Sequence, residues 1–182
     1  MSLVVMKFGG TSVEDAAAIT RTAGIVAGRV AAGKRPVVVV SAMSKVTDQL
    51  LACAAAASRG DRTGAMALSQ RLRCRHRDTA AALLKDSKEA AALHISLERE
   101  FDTLDEVLRG LAAILELTPR ISDLIVSYGE RLSSVIIAQA FRERGLEAVH
   151  VDARVAGVIA NVQTRSQDLA VLHQQRARGD HL

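Results

Sequence analysis

The sequence predicts an α/β layered domain with a mainly parallel sheet and a large helical share. Two short apolar runs, residues 3–8 and 37–40, flank one helical stretch. This strand–helix–strand order is typical of parallel strands joined by a right-handed crossover. Helical patterning then continues to residue 144, and aromatic residues make up only 2% of the chain. We therefore expect Ala, Leu, Val and Ile to form a core of long helices packed on a small sheet.

Three strands are predicted. The first covers residues 3–8, an apolar run interrupted only by Lys7, and the second covers the four valines at 37–40, after Pro36. Continuous apolar and β-branched runs favour strands that are buried on both faces. Residues 148–152, Ala-Val-His-Val-Asp, form the third predicted strand.

Helix boundaries are predicted from capping residues and breaks. Ser12 is the predicted N-cap of the first helix, with Asp15 as the acidic residue three positions later. That helix covers residues 13–32, where Gly33 ends it. Further breaks are predicted at residues 59–61, 86–88 and 117–119, with N-caps at Ser87 and Thr118. Pro119 then begins the last long helix, which is predicted to end at Gly145.

Charge and apolar patterning argue against nucleic acid and membrane as partners. The net charge is +4, and the Lys and Arg residues are spread along helical stretches. The densest basic cluster, residues 71–77, is interpreted as a solvated helix face, as is the acidic stretch 98–106. No apolar run is long enough to span a membrane. The start of the chain has no basic signal-peptide region, so we expect a cytoplasmic protein.

The cysteines and histidines do not predict a metal site. Cys53 and Cys74 lack the spacing of a zinc motif and are interpreted as reduced thiols. The five histidines also show no ligand spacing. No protein-bound metal is therefore expected.

The first candidate site is Lys-Phe-Gly-Gly-Thr-Ser at residues 7–12, between the first strand and the first helix. Glycines allow a sharp turn and close approach of the backbone to a ligand. The N-terminus of the following helix would offer N–H groups to a phosphate. Lys7, at the end of a strand, adds a positive charge where ligands bind in α/β sheets. The spacing matches neither a P-loop nor a Rossmann motif.

The second candidate site, residues 41–48, follows the second strand and contains several hydroxyl groups. Hydroxyls and backbone N–H groups there can bind a carboxylate, although for Ser44 and Asp48 we favour an N-cap and a polar loop. Because the two strands are expected to be neighbours, both loops can contribute to one site. The third candidate, residues 127–134, contains Gly129 within a predicted helix, which indicates close approach of backbone or ligand. Glu130 could accept hydrogen bonds from an ammonium group, or it could pair with Arg131 or with a neighbouring helix at the surface.

Together these three segments resemble aspartate kinases of the amino acid kinase family. The resemblance is carried by Val-Met-Lys-Phe-Gly-Gly-Thr-Ser-Val at 5–13, by the block at 38–48, and by Ser-Tyr-Gly-Glu-Arg-Leu-Ser-Ser at 127–134. Val-Asp-Ala-Arg at 151–154 fits the segment that follows in the family. The motifs occur in the family's order and spacing over residues 3–154.

The resemblance implies ATP-dependent phosphorylation of the side-chain carboxylate of L-aspartate, the first step of lysine, threonine and methionine biosynthesis. It implies that Lys7 is catalytic and contacts the transferred phosphoryl group. The residues implied to bind the ATP phosphates are Lys7, Gly9, Gly10, Thr11 and Ser12, and those implied to bind aspartate are Ser41, Thr47 and Glu130. Mg²⁺ would accompany ATP, bound mainly through phosphates and water.

The sequence departs from the family pattern after Arg154. We expect residues 1–154 to be the aspartate-binding part of the kinase domain and residues 155–182 to be a divergent, poorly ordered tail. The family's nucleotide-binding half and its regulatory ACT domains have no match here. The alternative hypothesis is therefore a truncated, non-catalytic remnant that acts as a binding or subunit-interaction module. A related kinase that forms another acyl phosphate is a third option. The exposed strand edges expected of a truncated sheet favour self-association, so a homodimer is the expected assembly.

Overall fold

The computed structural model describes residues 2–84 and 87–152. The chain divides into two compact units, Met1–His150 and Val151–Leu182. Every helix and strand described below belongs to the first unit, and the predicted tail at 155–182 lies outside the described residues.

The order of elements confirms the predicted α/β class. The described residues form β1 (Ser2–Phe8), a short 3₁₀ turn (Gly10–Val13), α1 (Ala16–Ala31), β2 (Lys34–Val40), α2 (Val46–Ser58), α3 (Arg62–Leu83), α4 (Ser87–Ile114) and α5 (Pro119–Arg142). The long helices outnumber the strands, as the apolar spacing predicts.

The described sheet has two parallel strands, with Lys7 opposite Val39 and Phe8 opposite Val40. One face packs on the helical core through Met6, Phe8, Val38 and Val40. The opposite face is exposed at Leu3 (69%), Val5 (63%), Val37 (47%) and Val39 (45%). The prediction that both strands are buried on both faces is therefore wrong. Successive side chains point to opposite faces of a strand, and the described helices cover only one of them.

The third predicted strand, at residues 148–152, is not formed. Val149 is 83% exposed, and the Ala148 amide donates to the nearby Leu146 carbonyl at 2.8 Å. A strand needs a neighbouring strand for its hydrogen-bond ladder, and neither described strand pairs with this segment. Alternating apolar residues alone were insufficient to specify it.

Helix α1 begins later than predicted, and its N-cap is Asp15 rather than Ser12. The Ala18 amide donates to the Asp15 carboxylate at 2.7 Å. Ser12 instead lies in the 3₁₀ turn, where its amide donates to the Gly9 carbonyl and its own carbonyl accepts from the Thr22 hydroxyl. At the other end, Gly33 follows the helix with a φ of +72°, as its predicted role requires.

The other helix boundaries agree with local capping chemistry. Thr118 is the N-cap of α5, since its hydroxyl accepts from the Ile121 amide at 3.3 Å, and Pro119 is the first helical residue. The predicted break at 86–88 lies partly outside the described residues, and α4 begins at Ser87.

Helices α2 to α5 enclose the core of the first unit. Its largest fully buried side chains include Leu50, Leu72, Phe101, Leu104, Leu108, Tyr128 and Leu132. The acidic stretch of α4 is the predicted solvated face only at Asp102 and Glu106, because Glu98, Glu100 and Asp105 are half-buried and pair with arginines of other helices. Arg73 of α3 pairs with Glu98, Asp102 and Asp105, and Arg131 of α5 pairs with Glu100.

Candidate active site

The loops that follow β1 and β2 lie side by side. The Ser41 amide donates to the Phe8 carbonyl at 3.1 Å, and the Ser44 amide donates to the Gly10 carbonyl at 3.2 Å. The two loops thus continue the parallel pairing beyond the ends of the strands. The predicted adjacency of the first two candidate sites is confirmed.

The two glycines of the first loop differ in what they permit. A Cβ on Gly10 would lie 3.0 Å from the Ala42 carbonyl oxygen, so Gly10 allows the loops to approach closely. A Cβ on Gly9 would meet no described atom within 4 Å. Gly9 has a φ of −77° and an extended backbone, which any residue can adopt, so the sharp turn expected there is not the reason for this glycine. Open space at Gly9 would admit a ligand close to the backbone.

The helix N-terminus predicted directly after the glycines lies further along the chain, at Asp15. The element that follows is the four-residue 3₁₀ turn, while the Asp15 carboxylate occupies the start of α1. A negative side chain at that position already satisfies the α1 N-terminus and would repel a phosphate. The exposed Lys7 ammonium and the loop amides are therefore the groups of this loop that can attract an anion.

The second loop leads into α2 without a side-chain cap among the described residues. Its N-cap is Lys45, in the left-handed conformation at φ 65°, and the predicted Ser44 cap is wrong. Ser44 uses its backbone instead, in the hydrogen bond to Gly10. Thr47 is half-buried in the first turn of α2, and Ser41 is half-buried at the end of β2. An uncapped helix start beside two hydroxyls is suited to binding a carboxylate.

Helix α5 packs closely against this second loop. A Cβ on Gly129 would lie only 2.8 Å from the Ala42 Cβ, so the glycine allows the predicted close approach. One turn later, the buried Ser133 hydroxyl lies 2.8 Å from the Ser41 carbonyl oxygen. The helix thereby fixes the end of β2 where Ser41 lies.

Glu130 faces the same edge of the sheet as Lys7. Burial raises the pKa of the Glu130 carboxyl, and the charge of Lys7 opposes that rise. Arg131 is not its partner, because this guanidinium pairs with Glu100 and lies 4.2 Å from the centre of the Tyr128 ring. Of the alternatives left open by the sequence, the structure therefore removes pairing of Glu130 with Arg131.

Two residues that contact these loops were missed by sequence reasoning. Ser133 lies in the third motif but had no assigned role. Arg75 of α3 belongs to the basic cluster interpreted as a solvated face, yet its guanidinium donates to the carbonyls of Ser44 and Glu14. No pattern in the neighbouring sequence indicates these contacts, because the bonded residues lie 31 to 92 positions apart in the chain.

Among residues 2–84 and 87–152, no group of three or more His, Cys, Asp and Glu side chains is arranged to hold a metal ion. Within the same ranges, no helix is both long and apolar enough to cross a membrane.

The sequence model of the amino acid kinase family matches residues 2–181. The chain therefore belongs to the amino acid kinase family. Within that family it is similar to aspartokinases. It is 34% identical to the bifunctional aspartokinase/homoserine dehydrogenase 1 of Arabidopsis thaliana, over 92% of this chain and 18% of that protein. It is 30% identical to lysine-sensitive aspartokinase 3 of Escherichia coli, over 84% of this chain and 31% of the relative.

The three-dimensional fold is also similar to that of an aspartokinase. The crystal structure of E. coli aspartokinase III in complex with aspartate and ADP superimposes with a TM-score of 0.66 and 26% identity. The match covers 81% of this chain and 30% of that one. The chain thus spans about a third or less of the length of these relatives.

Proposed function

We propose that this chain carries the aspartate-facing and phosphoryl-facing part of an aspartate kinase site, for ATP-dependent phosphorylation of the L-aspartate side-chain carboxylate. The observation that carries the proposal is the meeting of the two loops at one edge of the sheet. Lys7 and the Gly9–Gly10 backbone lie on one loop and Ser41 and Thr47 on its neighbour, while α5 brings Glu130 to the same edge. The matched E. coli aspartokinase III structure was solved with aspartate and ADP, which supports this choice of ligands.

Each side chain has a role that suits its environment. The uncapped start of α2, with Thr47 in its first turn, would bind the α-carboxylate of aspartate. Ser41 would add a hydroxyl donor. Glu130 would accept hydrogen bonds from the α-ammonium group, since the residue keeps exposed surface and lies near Lys7.

The phosphate side is formed by Lys7 and the first loop. Lys7 would offset negative charge on the transferred phosphoryl group. Gly9 would admit the phosphates to the backbone, with the Thr11 amide and the hydroxyls of Thr11 and Ser12 nearby. Mg²⁺ bound to ATP would neutralise phosphate charge, held through phosphate oxygens and water.

The reaction needs no covalent enzyme intermediate. A side-chain carboxylate oxygen of aspartate attacks the γ-phosphorus, and a new O–P bond forms. The bond from that phosphorus to the β–γ bridging oxygen breaks, and ADP leaves with the electron pair. Positioning of the two substrates and electrostatic stabilisation by Lys7 provide the catalysis.

The test compares Lys7→Met with Lys34→Met, which removes a matched exposed lysine at the other end of the sheet. ADP release is measured with Mg-ATP and aspartate, and hydroxylamine traps the acyl phosphate. Lys7→Met is expected to lower kcat by about 10²-fold or more, because one donor to the developing charge is lost. Lys34→Met should keep wild-type activity. Equal activity of the two variants would contradict the assigned role of Lys7.

The second candidate is binding of aspartate without turnover, which requires only the uncapped start of α2 and the exposed Glu130. Calorimetry with aspartate and with Mg-ATP separates the two functions. Aspartate binding that is weakened by Glu130→Gln, without ADP release by the wild-type chain, would support a binding module. Turnover by the wild-type chain would exclude it, and failure to bind aspartate would contradict both candidates.

A further inference from the structure

The basic cluster at residues 71–77 of α3 separates into four different environments. Leu72 and His76 are buried in the core, and Arg73 pairs with the acidic residues of α4. Arg75 is half-buried and lies on the opposite side of α3 from Arg73, while Arg71, one turn earlier, is exposed. Arg75 is therefore the basic residue of this cluster whose guanidinium has hydrogen bonds to the site loops.

The Arg75 guanidinium contacts both site loops at once. One terminal nitrogen donates to the Ser44 carbonyl at 2.8 Å, and the other donates to the Glu14 carbonyl at 3.1 Å. Glu14 directly follows the 3₁₀ turn of the first loop, and Ser44 directly precedes the left-handed Lys45 of the second. A guanidinium is planar, with its donors in a fixed geometry, so the two bonds together restrict the distance between the loops.

The contact to Ser44 also acts at a point of backbone strain. A non-glycine residue in the left-handed region, such as Lys45 at φ 65°, costs free energy and persists only when its surroundings enforce it. Both backbone groups of Ser44 are occupied, the amide by Gly10 and the carbonyl by Arg75. Without Arg75, rotation of the peptide between Ser44 and Lys45 is limited mainly by the turn hydrogen bond from the Val46 amide to the Met43 carbonyl. Such a rotation would move the start of α2 and Thr47.

We propose that Arg75 is a positioning residue that sets the spacing between the phosphate-facing loop, residues 9–14, and the substrate-facing loop, residues 41–47. It touches neither aspartate nor ATP and acts through the Glu14 and Ser44 carbonyls. The spacing it sets is that between the γ-phosphate and the attacking carboxylate, an inference that rests on the proposed function.

The first experiment requires no substrate. Amide hydrogen exchange is followed by NMR in the wild type, Arg75→Met, Arg75→Lys and the matched control Arg71→Met. In Arg75→Met the Ser44 amide is expected to exchange about tenfold faster, because loss of a charge-assisted hydrogen bond favours local opening. Amides of α4 should remain within about twofold of the wild type. Arg75→Lys should give an intermediate effect, since a single ammonium group replaces the two-pronged donor.

Two outcomes would overturn the positioning role. One is a Ser44 exchange rate in Arg75→Met that equals the rate in Arg71→Met. The other is faster exchange in α4 in proportion to that at Ser44, which would indicate general destabilisation. If Arg75→Met does not fold, Arg75→Lys is compared with Arg71→Lys by the same criteria.

The second experiment measures kinetics in the same four proteins. A misplaced reacting group lowers kcat more than it raises KM, so Arg75→Met is expected to lose about 10²-fold in kcat, with partial rescue in Arg75→Lys. A rise in KM at unchanged kcat would contradict the proposal. If the wild-type chain has no activity, the proposed function fails, while the exchange experiment still decides whether Arg75 sets the loop spacing.

Discussion

At the sheet edge, the two site loops are held through their backbone carbonyls, whereas helices α3, α4 and α5 are held by apolar side chains and ion pairs. Ser133 and Arg75 contact the carbonyls of Ser41 and Ser44. We call these three helices, α3, α4 and α5, the helical body. Its Phe101 is fully buried, and the centre of the Phe101 ring lies 5.5 Å from the centre of the His76 ring and 5.4 Å from the Arg73 guanidinium.

The difference has a functional consequence. Backbone contacts leave the side chains of Lys7, Thr47 and Glu130 available for ligands, because none of them is needed to hold the loops. The helical body must provide the free energy that keeps those backbone contacts in place. Changes in the body should therefore alter global stability, and changes at the edge should alter ligand binding more than stability.

The largest effect is expected from Phe101→Ala in the helical body. Removing a fully buried aromatic side chain should lower the free energy of unfolding by about 3–5 kcal/mol. Urea denaturation measures the change, with Ile95→Ala as the control on the exposed face of the same helix. A loss of under about 1 kcal/mol for Phe101→Ala would mean that the body is not the source of stability.

Acid should destabilise the helical body through His76. Burial lowers the pKa of this imidazole to about 4, with the Leu72 carbonyl opposing the shift and Arg75 adding to it. The unfolded state, with a histidine pKa near 6.5, binds the proton more readily. The contribution of neutral His76 to the free energy of unfolding is thus complete above pH 6.5. It is lost as the pH falls towards about 4, and the free energy of unfolding then decreases by about 3 kcal/mol.

Urea denaturation at pH 7 and pH 4.5 tests this pH dependence. The His76→Leu variant should lose less stability on acidification than the wild type. His94→Gln, which alters a histidine on the surface of α4, should behave like the wild type. Equal acid sensitivity of His76→Leu and the wild type would exclude His76 as the cause.

Gly129→Ala tests the contact where body and edge meet. Its Cβ would lie 2.8 Å from the Ala42 Cβ, and we expect a loss of about 1–2 kcal/mol, because overpacking outweighs the gain in helix propensity. Gly110→Ala in α4 meets no described atom within 4 Å and should gain about 0.5–1 kcal/mol instead. Aspartate affinity, measured by calorimetry, should fall only in Gly129→Ala. If Gly129→Ala is more stable than the wild type, the loop that contains Ala42 must shift to make room for the added methyl group.

The smallest effect on stability is expected from Ser133→Ala. This change removes the hydroxyl that contacts the Ser41 carbonyl, at a cost of about 1 kcal/mol. Aspartate binding should weaken as well, because Ser41 is no longer fixed. Ser96→Ala removes a hydroxyl that bonds within its own helix and should leave both measurements unchanged. Weaker stability with unchanged aspartate affinity would mean that Ser133 does not position the site.

Local patterns predicted much of the fold and the position of the site. The strand–helix–strand unit, the Thr118 cap with Pro119, and the adjacency of the two loops all follow from residues that are neighbours in sequence or from the parallel pairing of two strands. Where local signals competed, the prediction failed. Ser12 and Asp15 are both good capping residues, and the 3₁₀ turn that places Asp15 at the helix start depends on a hydroxyl from Thr22.

The sequence by itself determined the α/β class, the order of the elements and the motifs that bring Lys7, Thr47 and Glu130 to candidate positions. Only the tertiary structure decided which face of the sheet the helices cover. It also decided which basic residue of α3 pairs with α4 in the helical body and which one contacts the site loops. Arg73 and Arg75 are two residues apart on one helix, yet they contact α4 and the site loops respectively. The physical reason is that a side chain's partner is set by the packing of helices distant in sequence, which no local pattern encodes.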